Sequence, residues 1–285
     1  MSERLPVRKT YKLSIGGAFV RSESGRSYPV HDAGQQLAAW AVLASRKDIR
    51  DAVHAARAAS PEWSAKTAYN RGQILYRVAE LLEGRRVQFE DEIARGGGDD
   101  PGGEVAAAID RWVWYAGWAD KIHHVAGTVN PVAAPYFNFT IPEPMGVIGV
   151  VAPERPSLLG LVSRLAPAIV SGNTAVVLAS EGWPLPAVTL TEVLATSDVP
   201  GGVVNLLTGS KEELVPWLCG HMDVNAVDLT GVPDELLARC EELAAENVKR
   251  VVRADGNDWA SDDAATPYAV TDLTEMKTVW HPMGA

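Results

Sequence analysis

The spacing of hydrophobic and polar positions changes twice along the chain, and each change indicates a different kind of structure. Over residues 1–44, short extended segments are predicted, separated by polar turns. Over residues 45–124, apolar residues recur every three or four positions, which is the spacing of amphipathic helices. From residue 145 onward, short apolar runs alternate with helical stretches, which is typical of parallel strands joined by crossover helices.

The helical region is predicted to hold three helices. The first begins after Ser45 and is expected to end at Pro61, because proline lacks the N–H that a continuing helix needs. A single long helix is predicted over residues 70–95 and another over 104–124. Between them, GGGDDPGG at residues 96–103 is expected to be a flexible loop, since it lacks the strand-then-helix context of a phosphate loop.

Residues 125–144 contain four prolines among β-branched and aromatic residues, which excludes a helix and favours two extended strands with a turn. A further strand is predicted at Met276–Trp280, after a polar linker. Because an isolated strand pair is marginal in water, residues 125–144 and 271–285 are predicted to form a β arm that needs a cover. The apolar side chains expected at its interface are Val129, Val132, Tyr136, Phe137, Phe139, Ile141, Val279 and Trp280.

The remaining pattern predicts an α/β fold with a Rossmann-like doubly wound parallel sheet. This domain is expected to comprise residues 1–124 and 145–262. Its strands are predicted at residues 145–153, 174–179, 202–209, 224–229 and 249–253.

Composition narrows the possible partners. A net charge of −10 argues against a nucleic-acid backbone or an anionic membrane as the partner. The opening residues lack the apolar core of a signal peptide, and no stretch reaches the roughly 20 apolar residues of a spanning helix. Two cysteines, Cys219 and Cys240, are too few for a disulfide framework and have no metal-ligand spacing. A cytoplasmic protein without a metal is therefore expected.

Three motifs carry a resemblance to a known family. EPMGVIGVVAP (residues 143–153), LAPAIVSGNTAVVL (165–178) and PGGVVNLLTG (200–209) resemble the aldehyde dehydrogenase superfamily in order and spacing. The resemblance covers about residues 11–255 and 271–281. It implies a domain related to an NAD-binding domain, and it implies that the β arm is an oligomerisation arm.

The chain departs from the family pattern at positions that the resemblance associates with chemistry. Arg155 stands where the family has the Asn that helps to hold the oxyanion, and Leu178 stands where it has a Lys near the adenosine ribose. Val232 and Leu236 replace a Ser and a Gly beside the pyrophosphate. Arg253 replaces the general-base Glu, and an arginine does not accept a proton near neutral pH.

Ser180 and Glu181 match the family positions near the ribose, although such a pair is also a common polar turn. These two residues are the cofactor-binding candidates, as remnants of a nucleotide site. Because most of that site is replaced, no cofactor is expected, and NAD is expected to bind weakly at most. The domain that carries the family's nucleophilic Cys is missing from this sequence. Cys219 and His221 suggest a Cys–His pair, but a separation of two residues is poor evidence for one, and a structural Cys219 is favoured.

These observations predict no catalytic residue and a non-catalytic subunit that joins a full-length aldehyde dehydrogenase in a hetero-oligomer. This interpretation rests partly on analogy within a family. Two alternatives stay open. One is an aldehyde oxidoreductase whose active site a partner chain completes, and the other is a nucleotide-binding sensor.

Overall fold

The computed structural model describes residues 8–254 and 258–284 of the 285-residue chain. A helical region follows a strand-rich start, and strands and helices alternate from residue 147 onward, as the hydrophobic pattern predicts. The strands are β1 Thr10–Tyr11, β2 Leu13–Ile15, β3 Ala18–Val20, β4 Ser27–His31, β5 Leu37–Val42, β6 Thr128–Asn130, β7 Tyr136–Pro144, β8 Val147–Val151, β9 Thr174–Leu178, β10 Val204–Leu207, β11 Ala226–Asp228, β12 Arg250–Val252 and β13 Thr274–Pro282. The helices are α1 Arg46–Ala65, α2 Ala68–Glu83, α3 Arg86–Arg95, α4 Pro101–Trp118, α5 Ile122–Ala126, α6 Leu159–Val170, α7 Leu185–Leu194, α8 Lys211–Gly220, α9 Asp234–Ala245 and α10 Tyr268–Thr271, with a short 3₁₀ helix at Asp262–Ala264.

A seven-stranded sheet in the order β12-β11-β8-β9-β10-β2-β3 forms the centre of the domain. The five strands from β12 to β10 are parallel, and β2 joins β10 in the antiparallel direction. Strands β8 and β9 are buried at every position, because helices cover both faces of a parallel sheet. The predicted α/β, Rossmann-like fold is confirmed, with each predicted strand present and slightly shorter than expected.

The prediction that Pro61 ends the first helix is wrong. Helix α1 continues through Pro61 to Ala65. Trp63, in the last turn, is fully buried, and its indole N–H donates to the carbonyl of Ile169 at 2.9 Å. Packing of this large side chain against α6 stabilises the last turn, so tertiary contact outweighs the lost backbone hydrogen bond at the proline.

The helices predicted over 70–95 and 104–124 are each divided in two. The first divides at Gly84 and Arg85, between α2 and α3. The second begins earlier than expected, because Asp100 caps α4 by accepting the N–H of Gly103 and Pro101 occupies the first turn. The last three residues of the predicted 96–103 loop are therefore the start of a helix.

The β arm is a three-stranded antiparallel sheet in the order β13-β7-β6. Strand β13 pairs with β7 along its whole length, from Thr274 opposite Pro144 to Pro282 opposite Tyr136. The terminal strand thus joins the arm, as predicted, and is longer than Met276–Trp280.

The apolar side chains predicted at the arm interface are only partly covered by the arm itself. Val129, Phe137 and Trp280 are exposed to 68%, 44% and 57%. The ring of Trp280 packs edge-on against Tyr136, with the centroids 5.8 Å apart. Two long strands therefore present several large apolar groups to solvent, which is unusual for a surface that stays uncovered.

The connection between β12 and β13 is held against the domain. The guanidinium of Arg111, which is 4% exposed on α4, donates to the carbonyls of Ala264 and Trp259, both at 2.9 Å, and to the hydroxyl of Ser163 at 3.0 Å. Among the described residues, no helix is long and apolar enough to cross a membrane.

Candidate functional site

The strand order of the large sheet reverses beside β8. From β8 the chain proceeds to β9 and β10 on one side, and then to β11 and β12 on the other. In doubly wound sheets, ligands bind outside the carboxyl ends of the strands at such a reversal. The candidate site is therefore the crevice between the carboxyl ends of β8 and β11.

Lys211 fills this crevice. It is the first residue of α8, and only 3% of it is exposed. Its ammonium donates to the carbonyl of Ala152, just after β8, at 2.7 Å and to the carbonyl of Gly231, just after β11, at 2.9 Å. It also forms an ion pair with Glu154. The charged group that a ligand would meet at the strand reversal is thus already bonded to both sides of the crevice.

Glu154 binds the next loop to the same cluster. Its carboxylate accepts the Ser180 hydroxyl at 2.8 Å and the N–H groups of Glu181 and Gly182 at 3.0 and 3.1 Å. Burial raises the pKa of Glu154, but the Lys211 ammonium and these hydrogen bonds outweigh burial, so its pKa lies below the usual range. Glu154 is therefore a carboxylate at neutral pH, and its charge is balanced by Lys211.

Ser180 and Glu181, the cofactor candidates from the sequence, lie at this crevice. Ser180 is 1% exposed and donates to Glu154. The Glu181 carboxylate accepts the backbone N–H of Lys211 at 2.7 Å, which places a negative charge at the start of α8. Both side chains already have protein partners, and a ribose contact by either stays a prediction.

The loops after β8 and β11 approach each other closely. The N–H of Gly231 donates to the carbonyl of Val151 at 2.9 Å. A Cβ atom at Gly231 would overlap the carbonyl group of Ala152. Below this contact, Asp228 at the end of β11 forms a buried ion pair with Arg164 of α6 at 2.6 Å. The two edges of the crevice are therefore held together by backbone contact as well as by Lys211.

The hydrophobic substitutions in the predicted nucleotide site are part of the core. Leu178 ends β9 and is 2% exposed, and Val232 is 6% exposed. Leu236 packs, partly buried, against the same hydrophobic cluster. Their side chains offer no hydrogen-bond donor to a sugar or a phosphate.

Arg155, at the position of the oxyanion Asn, bonds away from the crevice. Its guanidinium donates to the carbonyls of Gly97 at 2.6 Å and Gly96 at 2.8 Å. Beside it, the Glu104 carboxylate accepts the N–H of Leu158 at 2.8 Å, and burial raises the pKa of Glu104. The Arg155 donors are occupied by the loop that precedes α4.

Arg253, at the position of the general base, forms an ion pair with Asp234 at 3.0 Å. The neighbouring Ala254 N–H donates to the hydroxyl of Thr230, also at 3.0 Å. The rest of the segment that replaces the base motif, residues 255–257, lies outside the described residues. A guanidinium in an ion pair does not act as a general base at neutral pH.

The two cysteines lie in the core. Both are fully buried, and the thiol of Cys219 donates to Cys240. This hydrogen bond and then burial raise the pKa of Cys219 well above the usual range, which opposes thiolate formation. The Nδ1 atom of His221 accepts the N–H of Asp223 at 3.2 Å. The structural interpretation of Cys219 is favoured.

The described residues contain no group of three acidic, His or Cys side chains placed to hold a metal.

Sequence reasoning missed Lys211 and Glu154. Each is a charged residue that closely follows a buried parallel strand, and the carboxyl ends of such strands meet at one edge of the sheet. This position after a buried strand is the sequence feature that could have assigned both residues to the site. It indicates proximity, but it does not indicate that the two charges pair and close the crevice.

A parallel, doubly wound sheet with its crevice at the strand reversal defines the Rossmann-like class of nucleotide-binding folds. Within that class, the chain belongs to the aldehyde dehydrogenase family, whose model matches residues 19–258. The mitochondrial benzaldehyde dehydrogenase of Antirrhinum majus is 33% identical over 258 residues, which are 86% of this chain and 47% of that protein.

Comparison with solved structures supports the same family. HpcC from Thermus thermophilus superposes with a TM-score of 0.81 and 30% identity, over 86% of this chain and 48% of that one. An aldehyde dehydrogenase from Bacillus cereus in complex with NAD⁺ superposes with a TM-score of 0.77 and 26% identity, over 86% of this chain and 50% of that one. The chain spans about half the length of these relatives.

Proposed function

We propose that the chain is a non-catalytic aldehyde dehydrogenase-like subunit that assembles with a full-length aldehyde dehydrogenase in the cytoplasm. The observation that carries this proposal is the Lys211 ammonium, which fills the crevice and bonds to Ala152, Gly231 and Glu154. A ligand in the crevice would have to displace the buried Lys211 ammonium from two carbonyls and a carboxylate, and leaving such groups unpaired is costly.

The closed crevice does not fit NAD. The relative from Bacillus cereus is described as an NAD⁺ complex, so the cofactor is the expected ligand of a family member. Here a pyrophosphate would meet the carboxylates of Glu154 and Glu181 and the buried side chain of Val232. Repulsion and lost space both oppose binding, so NAD is proposed to bind weakly or not at all.

The absence of catalysis is supported by the residues at the reacting positions. Arg155 and Arg253 stand where the family resemblance places the oxyanion Asn and the base, and the guanidinium groups of both are engaged within the chain. Cys219 has a raised pKa in a buried pair. The short connection between β12 and β13, held by Arg111, leaves no room for an inserted catalytic domain.

Assembly is supported by the arm. Its exposed apolar residues, Val129, Phe137 and Trp280 among them, lie on a three-stranded sheet whose outer strands, β13 and β6, pair on one side only within the described residues. Edge strands and apolar faces of this kind are covered in stable proteins. A full-length aldehyde dehydrogenase chain, about twice the length that this chain matches, would supply more covering surface than a second copy. A hetero-oligomer is therefore proposed.

The test combines purification and assay. The tagged chain, isolated from its native host, should retain a full-length aldehyde dehydrogenase at fixed stoichiometry. Alone, it should produce no NADH from aldehyde and NAD, and calorimetric titration with NAD should give a dissociation constant weaker than about 1 mM. Aldehyde-dependent NADH production by the isolated chain that the Cys219→Ala variant abolishes would reject the proposal.

The same assays separate the alternatives. If the proposed subunit raises turnover only in the complex, and Arg253 variants lower that turnover, the chain contributes to a shared active site. If a nucleotide other than NAD raises the melting temperature in proportion to its concentration, the crevice opens and the sensor alternative gains support.

A further inference from the structure

A second cavity lies on the outside of the domain, between the start of α1, the end of α8 and the end of α9. Its volume is about 760 Å³, within the size range of small-molecule sites, which is about 300–1,000 Å³. None of the crevice or arm residues lines it. Its apolar lining comes from Ile49, Pro216, Trp217, Gly220, Met222 and Leu243, and its charged and polar lining comes from Arg46, Lys47, Arg50, His221, Arg239 and Glu246.

The apolar part of this cavity is open to solvent. Trp217 is 47% exposed and Met222 is 69% exposed. Covering large apolar groups of this kind removes apolar surface from water, which favours a ligand that packs on them. An indole beside a flexible thioether forms a surface that adapts to a flat aromatic body.

Arg46 is placed to bind a carboxylate above this surface. Its guanidinium stacks over the ring of Trp217, with 4.8 Å between the guanidinium carbon and the ring centroid. A stacked guanidinium keeps its N–H donors pointing outward in its own plane, which is the geometry that a bidentate carboxylate accepts. Within residues 8–254 and 258–284, no carboxylate pairs with Arg46.

The charges around this cavity leave Arg46 as the cation that can meet a ligand. Four basic residues and one acidic residue line the cavity, although the whole chain is acidic with a net charge of −10. Three of the basic residues have a carboxylate nearby: Lys47 pairs with Glu23, Arg50 with Asp51 and Arg239 with Glu242. Arg46 is therefore, among the described residues of the lining, the cation that faces the aromatic surface without a carboxylate partner.

We propose that this cleft, named here the Arg46–Trp217 cleft, binds an aromatic monoanion. The carboxylate contacts the Arg46 guanidinium, and the ring system covers Trp217 and Met222. A single charge suffices, because the other cations of the lining are already balanced by carboxylates. This proposal does not depend on the function proposed above, since neither the crevice nor the arm takes part.

The experiment is calorimetric titration of the purified chain with 2-naphthoate, 2-naphthylmethanol and acetate. The first has both ring and charge, the second has the ring alone, and the third has the charge alone. We expect 2-naphthoate to bind at one site with a dissociation constant below about 1 mM, and the other two to bind about tenfold more weakly or not at all. Raising the salt concentration should weaken the binding of 2-naphthoate.

Matched variants locate the site. Arg46→Met and Trp217→Leu should each weaken 2-naphthoate binding about tenfold, as expected for a lost charge-assisted contact or a lost aromatic contact. The controls are Arg77→Met, which removes an exposed arginine of α2, and Trp280→Leu, which removes an exposed tryptophan of the arm. Both controls should bind as the unchanged chain does, and circular dichroism should show that all four variants are folded.

Several results would overturn the proposal. They are the absence of saturable binding by 2-naphthoate, equal binding of 2-naphthylmethanol, and unchanged binding by both Arg46→Met and Trp217→Leu. A loss in the controls as large as the loss in the cleft variants would likewise place the anion elsewhere.

Discussion

Single residues decide how the crevice at the strand reversal is closed, and Lys211 bonds to both of its edges. Its ammonium is the only donor that reaches Glu154, Ala152 and Gly231 together among the described residues. Without it, two carbonyls lose a charged donor and a carboxylate loses its counter-charge. The cost of leaving such groups unpaired exceeds the value of an average hydrogen bond.

We therefore expect Lys211→Met to lower the free energy of unfolding by about 2 kcal/mol, because the methionine keeps the stem and removes the ammonium. Urea denaturation at neutral pH measures this. The control is Lys9→Met, which removes an exposed ion pair with Glu192 and should cost less than about 1 kcal/mol. Equal losses in the two variants would show that Lys211 adds no more than a surface lysine.

Glu92 gives a pH-dependent prediction at the same scale. Its Oε1 atom accepts hydrogen bonds from Thr189 at 2.8 Å and Tyr11 at 3.3 Å, while its buried Oε2 atom has no partner within the described part of the chain. Burial raises the pKa of Glu92, and the hydrogen bonds only partly oppose this. The folded protein therefore binds this proton more tightly than the unfolded chain does.

The direction of the pH dependence follows from the linkage between proton binding and folding. A group with a raised pKa stabilises the fold below its unfolded pKa of about 4.3, and that contribution is lost as pH rises through the folded pKa. Glu92→Gln removes the titration and keeps an acceptor. We expect the stability of the variant, relative to the unchanged chain, to increase between pH 4 and pH 7 in urea titrations. A constant difference across that range would contradict the raised pKa.

At the scale of elements, β13 is the strand that completes the arm. It pairs with β7 over its full length and carries Trp280, Val279 and Met276. Its base is fixed to the domain, since the side-chain amide of Asn173 donates to the carbonyl of Leu273 at 2.8 Å. The strand beyond that base contributes little to the domain core, which consists mainly of the sheet and its helices.

Deleting residues 274–285 should therefore release the chain from the proposed partner while the domain stays folded. Size-exclusion chromatography of the co-expressed proteins measures release, and circular dichroism measures folding. Trp280→Ser is the matched single change and should weaken the complex without shortening the chain. Co-elution of the truncated chain at full stoichiometry would show that the arm is not the interface.

At the scale of the whole molecule, Arg111 links the sheet domain to the connection that leads to the arm. Its donors bind the carbonyls of Trp259 and Ala264, and the Tyr115 hydroxyl donates to the carbonyl of Thr266 at 3.4 Å. Within residues 258–267, these bonds act together with Trp259, which packs partly buried against the core. Proteases cleave a segment of this kind when it opens locally.

Arg111→Met should make the connection more sensitive to proteolysis, with cleavage within residues 258–267 about tenfold faster than in the unchanged chain. Limited proteolysis followed by mass spectrometry locates and times the cut. Arg77→Met, which removes an exposed pair with Glu80, is the control and should leave the rate unchanged. An unchanged rate in Arg111→Met would show that other contacts hold the connection.

The sequence by itself determined the kind and order of the elements. The runs around Val147–Val151 and Thr174–Leu178 predict buried parallel strands, because a strand covered on both faces is apolar at every position. The prolines of residues 125–144 predict an extended arm for an equally local reason. The family motifs, too, can be identified from the order of residues alone.

Only the tertiary structure decided how these elements meet. Helix α1 passes Pro61 because Trp63 packs on α6, and Lys211 closes the crevice because the ends of β8 and β11 lie side by side. Arg111 holds a segment about 150 residues further along the chain. Each outcome depends on contacts between residues distant in the sequence, where burial and charge pairing outweigh local preference.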